Sequence, residues 1–235
     1  MIPKIVHQTF ITMNLPEFIL SIISMNKKLN PNYEFIFYDD QQCKHFIHTH
    51  FSSRIYNAYI SINDCYGAMK ADFFRYYVLY ILGGIYLDIK SSIHIDLDTI
   101  ITREDTCILD IPRTNLEYWR ANRPTYEQWI LFFSPQHPYL KEMIQYMTDA
   151  IEQKFEPIGM NSKQKILHIT GPDAFAHVIH KYNMIHEQIL HRNIDYNLYF
   201  KLTSHEHNYL QMYTMNNKKH YNEYTEPLYK ANENC

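Results

Sequence analysis

An acid, a base and a second acid stand out by their spacing: Asp72, Arg75 and Asp88, with Lys90 two residues further on. Asp72 and Arg75 lie three apart within Cys65–Leu82, the most strongly helical stretch, so they share one helix face. Ala68 is on that face too and leaves room beside the pair. The rest of the stretch is apolar, and charges on so apolar a helix are costly unless paired or put to use. Two readings stand side by side. One is an ion pair at the edge of the core. The other is a ligand clamp, in which Asp accepts hydrogen bonds from sugar hydroxyls and Arg supplies donors in a rigid fork. The string Gly83-Gly84-Ile85-Tyr86-Leu87-Asp88-Ile89-Lys90 reads as a tight turn into a buried strand over Ile85–Ile89. The two-residue period of a strand puts Tyr86, Asp88 and Lys90 on one side. Asp72, Arg75 and Asp88 are therefore expected to converge on a single pocket.

The elements that must position them follow from local pattern. Lys4–Thr9 and Tyr33–Tyr38 read as strands, and Pro16–Leu29 between them as a helix. A helix capped by Asp39 or Asp40 runs to His48, and Arg54–Ile62 forms another. Cys107–Ile111 and Trp129–Phe133 are further strands; Pro138–Lys154 and Pro172–Tyr182 are further helices. Strands alternate with helices, which predicts an α/β fold with a mainly parallel central sheet flanked by helices. Ligands of such sheets bind beyond the carboxyl ends of the strands, where Asp88 falls. A length of 235 residues suits one domain over 1–235, with Asn216–Cys235 expected as a flexible tail.

With these residues in view, the chain resembles glycosyltransferase family 32, the DXD-containing sugar transferases. The family pattern is roughly IPK-I-IHQ-W, then A-x-x-S-D-x-x-R-Y, then L-Y-x-x-GG-I-Y-x-D-x-D. Here it stands as Ile2 to Phe10, then Ala68 to Tyr76, then Leu79 to Asp88. Thr170-Gly171-Pro172 and Ser134 to Pro138 match two later segments. The resemblance implies a GT-A fold, a UDP- or GDP-linked sugar donor and transfer of a hexose with retention of configuration. It implies a hydroxyl acceptor on a glycan, lipid or protein. Carried over, Asp72 and Arg75 bind the hydroxyls of the donor sugar, and Asp88 faces its ribose, its sugar or a metal. Phe10, in place of the usual Trp, stacks on the base with Gln8 beside it. Tyr86 packs on the sugar or phosphate, and Gly171 and Pro172 shape the wall near the acceptor.

The second Asp of the DXD is Lys90 here, and Ala71 replaces the Ser before Asp72. In the family that second carboxylate helps hold Mn²⁺ or Mg²⁺ against the diphosphate. Two readings follow: Lys90 contacts phosphate itself with little need of metal, or a metal stays on Asp88 with help from Asp96, Asp98 or a C-terminal His. The second is the expectation, because one ammonium carries half the charge of the ion. Lys90 also supports a rival to catalysis, a degenerate member that holds a nucleotide sugar without turning it over. No carboxylate stands out as a nucleophile and no general base is evident, which agrees with a front-face retaining mechanism and equally with a nucleophile that no motif marks.

Composition narrows the classes. A hydrophobic share of 46% excludes a disordered chain. A net charge of -3 and a pI near 6.5 supply no basic surface for nucleic acid. No signal peptide or transmembrane segment is evident, and Phe73–Leu87 is too short and broken to span a bilayer, so a soluble cytoplasmic protein is expected. Cys43, Cys65, Cys107 and Cys235 form no C-x-x-C pair and read as free thiols. His177 with His180, His205-Glu206-His207 and His220 are loose metal candidates, for which surface or core roles are the default. Trp119 and Trp129 are by default packing residues.

Overall fold

A computed structural model describes residues 1–111, 125–186, 191–202 and 223–231. Strand β1 (Ile5–Thr9) leads to helix α1 (Glu17–Leu29), strand β2 (Glu34–Tyr38) and helices α2 (Asp40–His50) and α3 (Ser53–Ser61). Helix α4 (Gly67–Leu82) runs straight into β3 (Gly84–Leu87), followed by β4 (Ser91–Ile93), a 3-10 turn at Leu97–Thr99, β5 (Cys107–Asp110) and β6 (Ile130–Phe133). Then come α5 (Pro138–Glu152), α6 (Ser162–Ile169), α7 (Pro172–Ile185), β7 (Arg192–Ile194), α8 (Tyr196–Tyr199) and β8 (Phe200–Leu202). Six strands form one sheet in the order β2-β1-β3-β6-β5-β7, and β4 pairs with β8 in a separate ribbon. Within the large sheet only β6 is antiparallel to its neighbours, so the sheet is mainly parallel as expected.

Pleating divides the side chains of the sheet between two cores. Tyr86, Leu131 and Phe133 face the core built with α4, α5 and α7; Val6, Ile85, Leu87, Ile130 and Phe132 face the other. Helix α4 is buried almost all round, from Met69 to Leu79, because it lies between the sheet and α5. The two glycines after it do distinct work. Gly83 has φ +65°, and a Cβ there would sit 2.6 Å from Pro135 Cδ; Gly84 has φ +95°, and a Cβ there would meet the Ile5 carbonyl oxygen at 2.5 Å. Only glycine permits both the left-handed backbone and the close approach of β3 to β1.

Two expectations change in detail. The strand ends at Leu87 rather than Ile89, because Asp88 to Ser91 is a turn closed by Ser91 N–H on the Asp88 carbonyl at 2.8 Å. Lys90 therefore belongs to a turn and not to the pleat that carries Tyr86. Helix α6, absent from the expected elements, opens on a reciprocal cap between Asn161 and Gln164. In the C-terminal stretch, Leu228 and Tyr229 are buried, and the backbone of Asn63 and Ser61 is bonded to Leu228 and Lys230. Among the described residues no helix is long and apolar enough to cross a membrane.

His7 ties β1, β2 and the glycine turn together. It is fully buried, with Nε2 2.9 Å from the Gly83 carbonyl oxygen and Nδ1 3.2 Å from the Tyr38 hydroxyl. The carbonyl only accepts, so Nε2 carries the hydrogen and the neutral ring accepts from Tyr38. Burial lowers its pKa to about 4, against the pull of the Gly83 bond; His137, buried beside His191, is also lowered to about 4. Unfolded histidines take up a proton near pH 6.5, whereas these do so only near pH 4. Their contribution is whole above pH 6.5 and is lost as pH falls toward 4, by about 3 kcal/mol each. Replacing His7 by Gln, which keeps a donor for Gly83, is expected to reduce the acid loss by about 2 kcal/mol between about pH 7 and about pH 4.5. Urea midpoints at the two pH values measure this, and equal losses in both proteins would contradict it.

Candidate active site

Three parts of the chain meet at the carboxyl end of β3: the residue just past the strand, the inner face of α4 and the junction of α6 with α7. Asp88 stands one residue past β3, its N–H bonded to the Trp129 carbonyl at 2.7 Å. Behind it, Arg75 Nη2 lies 2.9 Å from Asp72 Oδ1 and 3.4 Å from Asp88 Oδ1. Arg75 Nη1 donates to the Gln128 carbonyl at 2.6 Å, and its guanidinium carbon sits 4.7 Å from the centre of the Tyr86 ring. Thr170 Oγ1 donates to Asp72 Oδ2 at 3.0 Å. The Tyr86 hydroxyl in turn pairs with Thr9 Oγ1 at 3.0 Å, fastening the ring to β1.

Exposure grades this chain of charges. The side chains of Asp72 and Arg75 are 13% and 8% exposed, and that of Asp88 is 27% exposed. Asp88 is the most open of the three, and the buried pair stands behind it. Asp72 and Arg75 form the ion pair against the core that one of the two readings expects, and that pair abuts the open carboxylate. Burial pushes Asp72 up to about 6, against the Arg75 charge and the Thr170 bond. For Arg75, burial works downward, but the charges of Asp72, Tyr86 and Asp88 outweigh it and hold the guanidinium firmly protonated. Burial raises Tyr86 well above the usual phenol, and burial lowers Lys90 while the Asp88 charge opposes it.

The other expected residues take separate places. Gln8 follows Val6 in the pleat, so it lies on the opposite face of the sheet from Tyr86. It is buried, and its Nε2 has no partner among the described residues. Phe10 is half-buried just past β1, its N–H bonded to the Tyr38 carbonyl at 3.1 Å. Gly171 and Pro172 form the entry to α7; a Cβ at Gly171 would sit 2.6 Å from the Leu167 backbone. The residue of that segment that reaches the charged group is Thr170. Neither it nor Gln128 was singled out from sequence, and only the match at Thr170-Gly171-Pro172 signalled either. His177 and His180 pack beside Tyr146 and Tyr126, and the Trp129 ring packs on Tyr196. Trp119, His205, Glu206, His207 and His220 lie outside the described residues.

The fit of a divalent metal follows from the donors present. Asp96 and Asp98 are at the wrong end of the sheet. Asp98 binds Lys4 Nζ at 2.7 Å, and the Asn32 amide and Tyr33 hydroxyl, before the starts of β1 and β2, while Asp96 caps the 3-10 turn. Among the described residues no three His, Cys, Asp or Glu side chains form a metal-holding group. At Asp88 a single carboxylate is faced by Arg75, with Lys90 in the adjoining turn. Divalent cations need several oxygen ligands. Among the described residues, one carboxylate beside two cations does not fit them.

Residues 16–107 match the family described as glycosyltransferase sugar-binding region containing DXD motif. The initiation-specific alpha-1,6-mannosyltransferase of Candida albicans is 27% identical over 177 residues, covering 65% of this chain and 45% of that protein. Inositol phosphoceramide mannosyltransferase 3 of Schizosaccharomyces pombe is 34% identical over 102 residues, covering 43% and 27%. The chain thus spans less than half the length of these relatives. Among solved structures, the PaToxG glycosyltransferase has a TM-score of 0.58 at 18% identity, over 78% of this chain and 70% of that one. The UDP-bound glycosyltransferase domain of the YGT toxin has a TM-score of 0.55 at 10% identity, over 82% and 79%. Both share this fold.

Proposed function

We propose, for a chain that carries the DXD-type sugar-binding region of the glycosyltransferases on a GT-A fold, that it moves a hexose from a nucleotide-diphosphate sugar to a hydroxyl acceptor. The observation that carries this reading is the single open carboxylate, Asp88, set beyond β3 and backed by the buried Arg75–Asp72 pair. Asp88 accepts hydrogen bonds from hydroxyls of the donor's sugar or ribose. Arg75 orients that carboxylate, and Asp72, held by Thr170, keeps Arg75 in place. Phe10 stacks on the base at the end of β1, and Tyr86 closes the wall behind the diphosphate. Residues 1–235 act as one domain, in which Gly171 and Pro172 set the α7 entry near the acceptor.

The relatives named as mannosyltransferases make mannose the first sugar to test, and the UDP-bound neighbour makes UDP the alternative to GDP as carrier. A glycan, glycolipid or protein supplies the accepting hydroxyl. Transfer proceeds with retention: the bond from the anomeric carbon to the diphosphate oxygen breaks, and its electron pair stays with the diphosphate. The acceptor oxygen bonds the same carbon on the same face, and its proton passes to the departing diphosphate. A panel of UDP- and GDP-sugars, assayed for release of free nucleotide, tests the proposal. Release from at least one donor is expected. Binding without release from any donor would favour the second reading, a nucleotide-sugar-binding protein without turnover, for which the Lys90 replacement speaks.

A further inference from the structure

We infer that this site meets the donor's diphosphate with the Lys90 ammonium in place of a divalent cation, so that donor binding is independent of metal. The inference rests on the nucleotide-sugar reading above. Its first support is charge. An Asp at position 90 would leave Asp72, Asp88 and position 90 facing Arg75 alone, an excess of two negative charges that a divalent ion neutralises. Exchanging that carboxylate for an ammonium removes one negative charge and adds one positive. The added charge equals that of the ion, and Asp72, Arg75, Asp88 and Lys90 cancel without it.

Position is the second support. Lys90 stands in the turn from Asp88 to Ser91, which is pinned on both sides. Asp88 N–H is bonded to Trp129, Ser91 N–H closes on Asp88, and the buried Asn26 amide donates to the Ser91 carbonyl at 2.9 Å. Asn26 Oδ1 also accepts from Ile93 N–H at 2.8 Å, so one side chain holds both ends of β4. The Lys90 stem thus leaves a held backbone directly beside the open carboxylate, half-buried at the same end of the sheet. A compact ammonium with three donors suits phosphate oxygens, and negative charge grows on them as the glycosidic bond breaks. In this role Lys90 supplies charge and hydrogen bonds and takes no proton. The third support is the donor set itself, one carboxylate flanked by cations, which fits a phosphate better than a metal.

Isothermal titration of the whole chain with UDP and GDP, first in EDTA and then in Mn²⁺, tests this. For the nucleotide that binds, the two Kd values are expected to agree within about twofold. Lys90→Met is expected to weaken binding in EDTA by roughly tenfold or more. Lys90→Asp, which restores the DXD, should lose binding in EDTA and regain it with Mn²⁺, and thermal melts check that both variants fold. Wild-type binding that requires Mn²⁺, or unchanged binding by Lys90→Met or Lys90→Asp in EDTA, overturns the inference and leaves the donor reading standing. If neither nucleotide binds under either condition, the donor reading itself falls.

Discussion

Asp88→Ala is expected to lower donor turnover by about 10²–10³-fold or more, with the thermal midpoint shifted by only a few degrees. The separation of the two effects comes from the place of Asp88 in the network. Its carboxylate is the outermost member, partly open to solvent, and its contact with Arg75 is long at 3.4 Å. The backbone around it is held by main-chain bonds to Trp129 and Ser91 that the substitution leaves intact. The fold therefore loses one weak, partly solvated interaction, whereas the proposed donor site loses the most open carboxylate among its described residues. Asp88→Asn keeps the shape and can still accept a hydrogen bond, so it should retain more activity than Ala. Nucleotide release from the preferred donor, measured beside a thermal melt, reads both quantities. Wild-type turnover in Asp88→Ala would remove the site assignment.

Arg75→Met should behave in the opposite way, losing stability and turnover together. The guanidinium is buried, bridges two carboxylates and satisfies the Gln128 carbonyl. Its removal leaves Asp72 as a buried carboxylate without its charge partner, a situation that costs about 3–5 kcal/mol. Part of that cost is escaped by protonating Asp72, whose pKa burial already pushes up to about 6. Adding Asp72→Asn to Arg75→Met should recover a large share of the stability, because a neutral amide needs no counter-charge. It should recover none of the turnover. Urea unfolding of the two single variants and the double variant gives the coupling. A cost below about 1 kcal/mol for Arg75→Met, with no coupling to Asp72, would show that the pair does not anchor this end of the fold.

Much of this arrangement was legible in the residues. The spacing of Asp72 and Arg75 placed them on one helix face, and Gly83-Gly84 announced the abrupt passage into a buried strand. The alternation of elements up to α5 gave the sheet type. These are local signals, carried by neighbours within a few positions. What was misplaced depended on partners far along the chain. Lys90 was assigned to the pleat of a strand that ends three residues earlier, where main-chain bonds to Trp129 and within the turn take over. Asp96 and Asp98 repeat the spacing of a metal motif, yet Lys4, Asn32 and Tyr33 hold Asp98 at the opposite end of the sheet. The short strands β4 and β8 find each other across more than a hundred residues and have no periodicity long enough to read.

The sequence by itself determined the inventory: an acid and a base one helical turn apart, an acid ending the next strand, and a lysine where a second acid would stand. Their types and order follow from the covalent chain and need no packing to be read. Depth was decided only in three dimensions. Thr170 reaches Asp72 across 98 positions and Gln128 reaches Arg75 across 53, so the pair is closed in while Asp88 stays open. Burial sets how strongly each charge is felt and which one a ligand can touch, and burial is a property of the assembled sheet and helices, not of spacing.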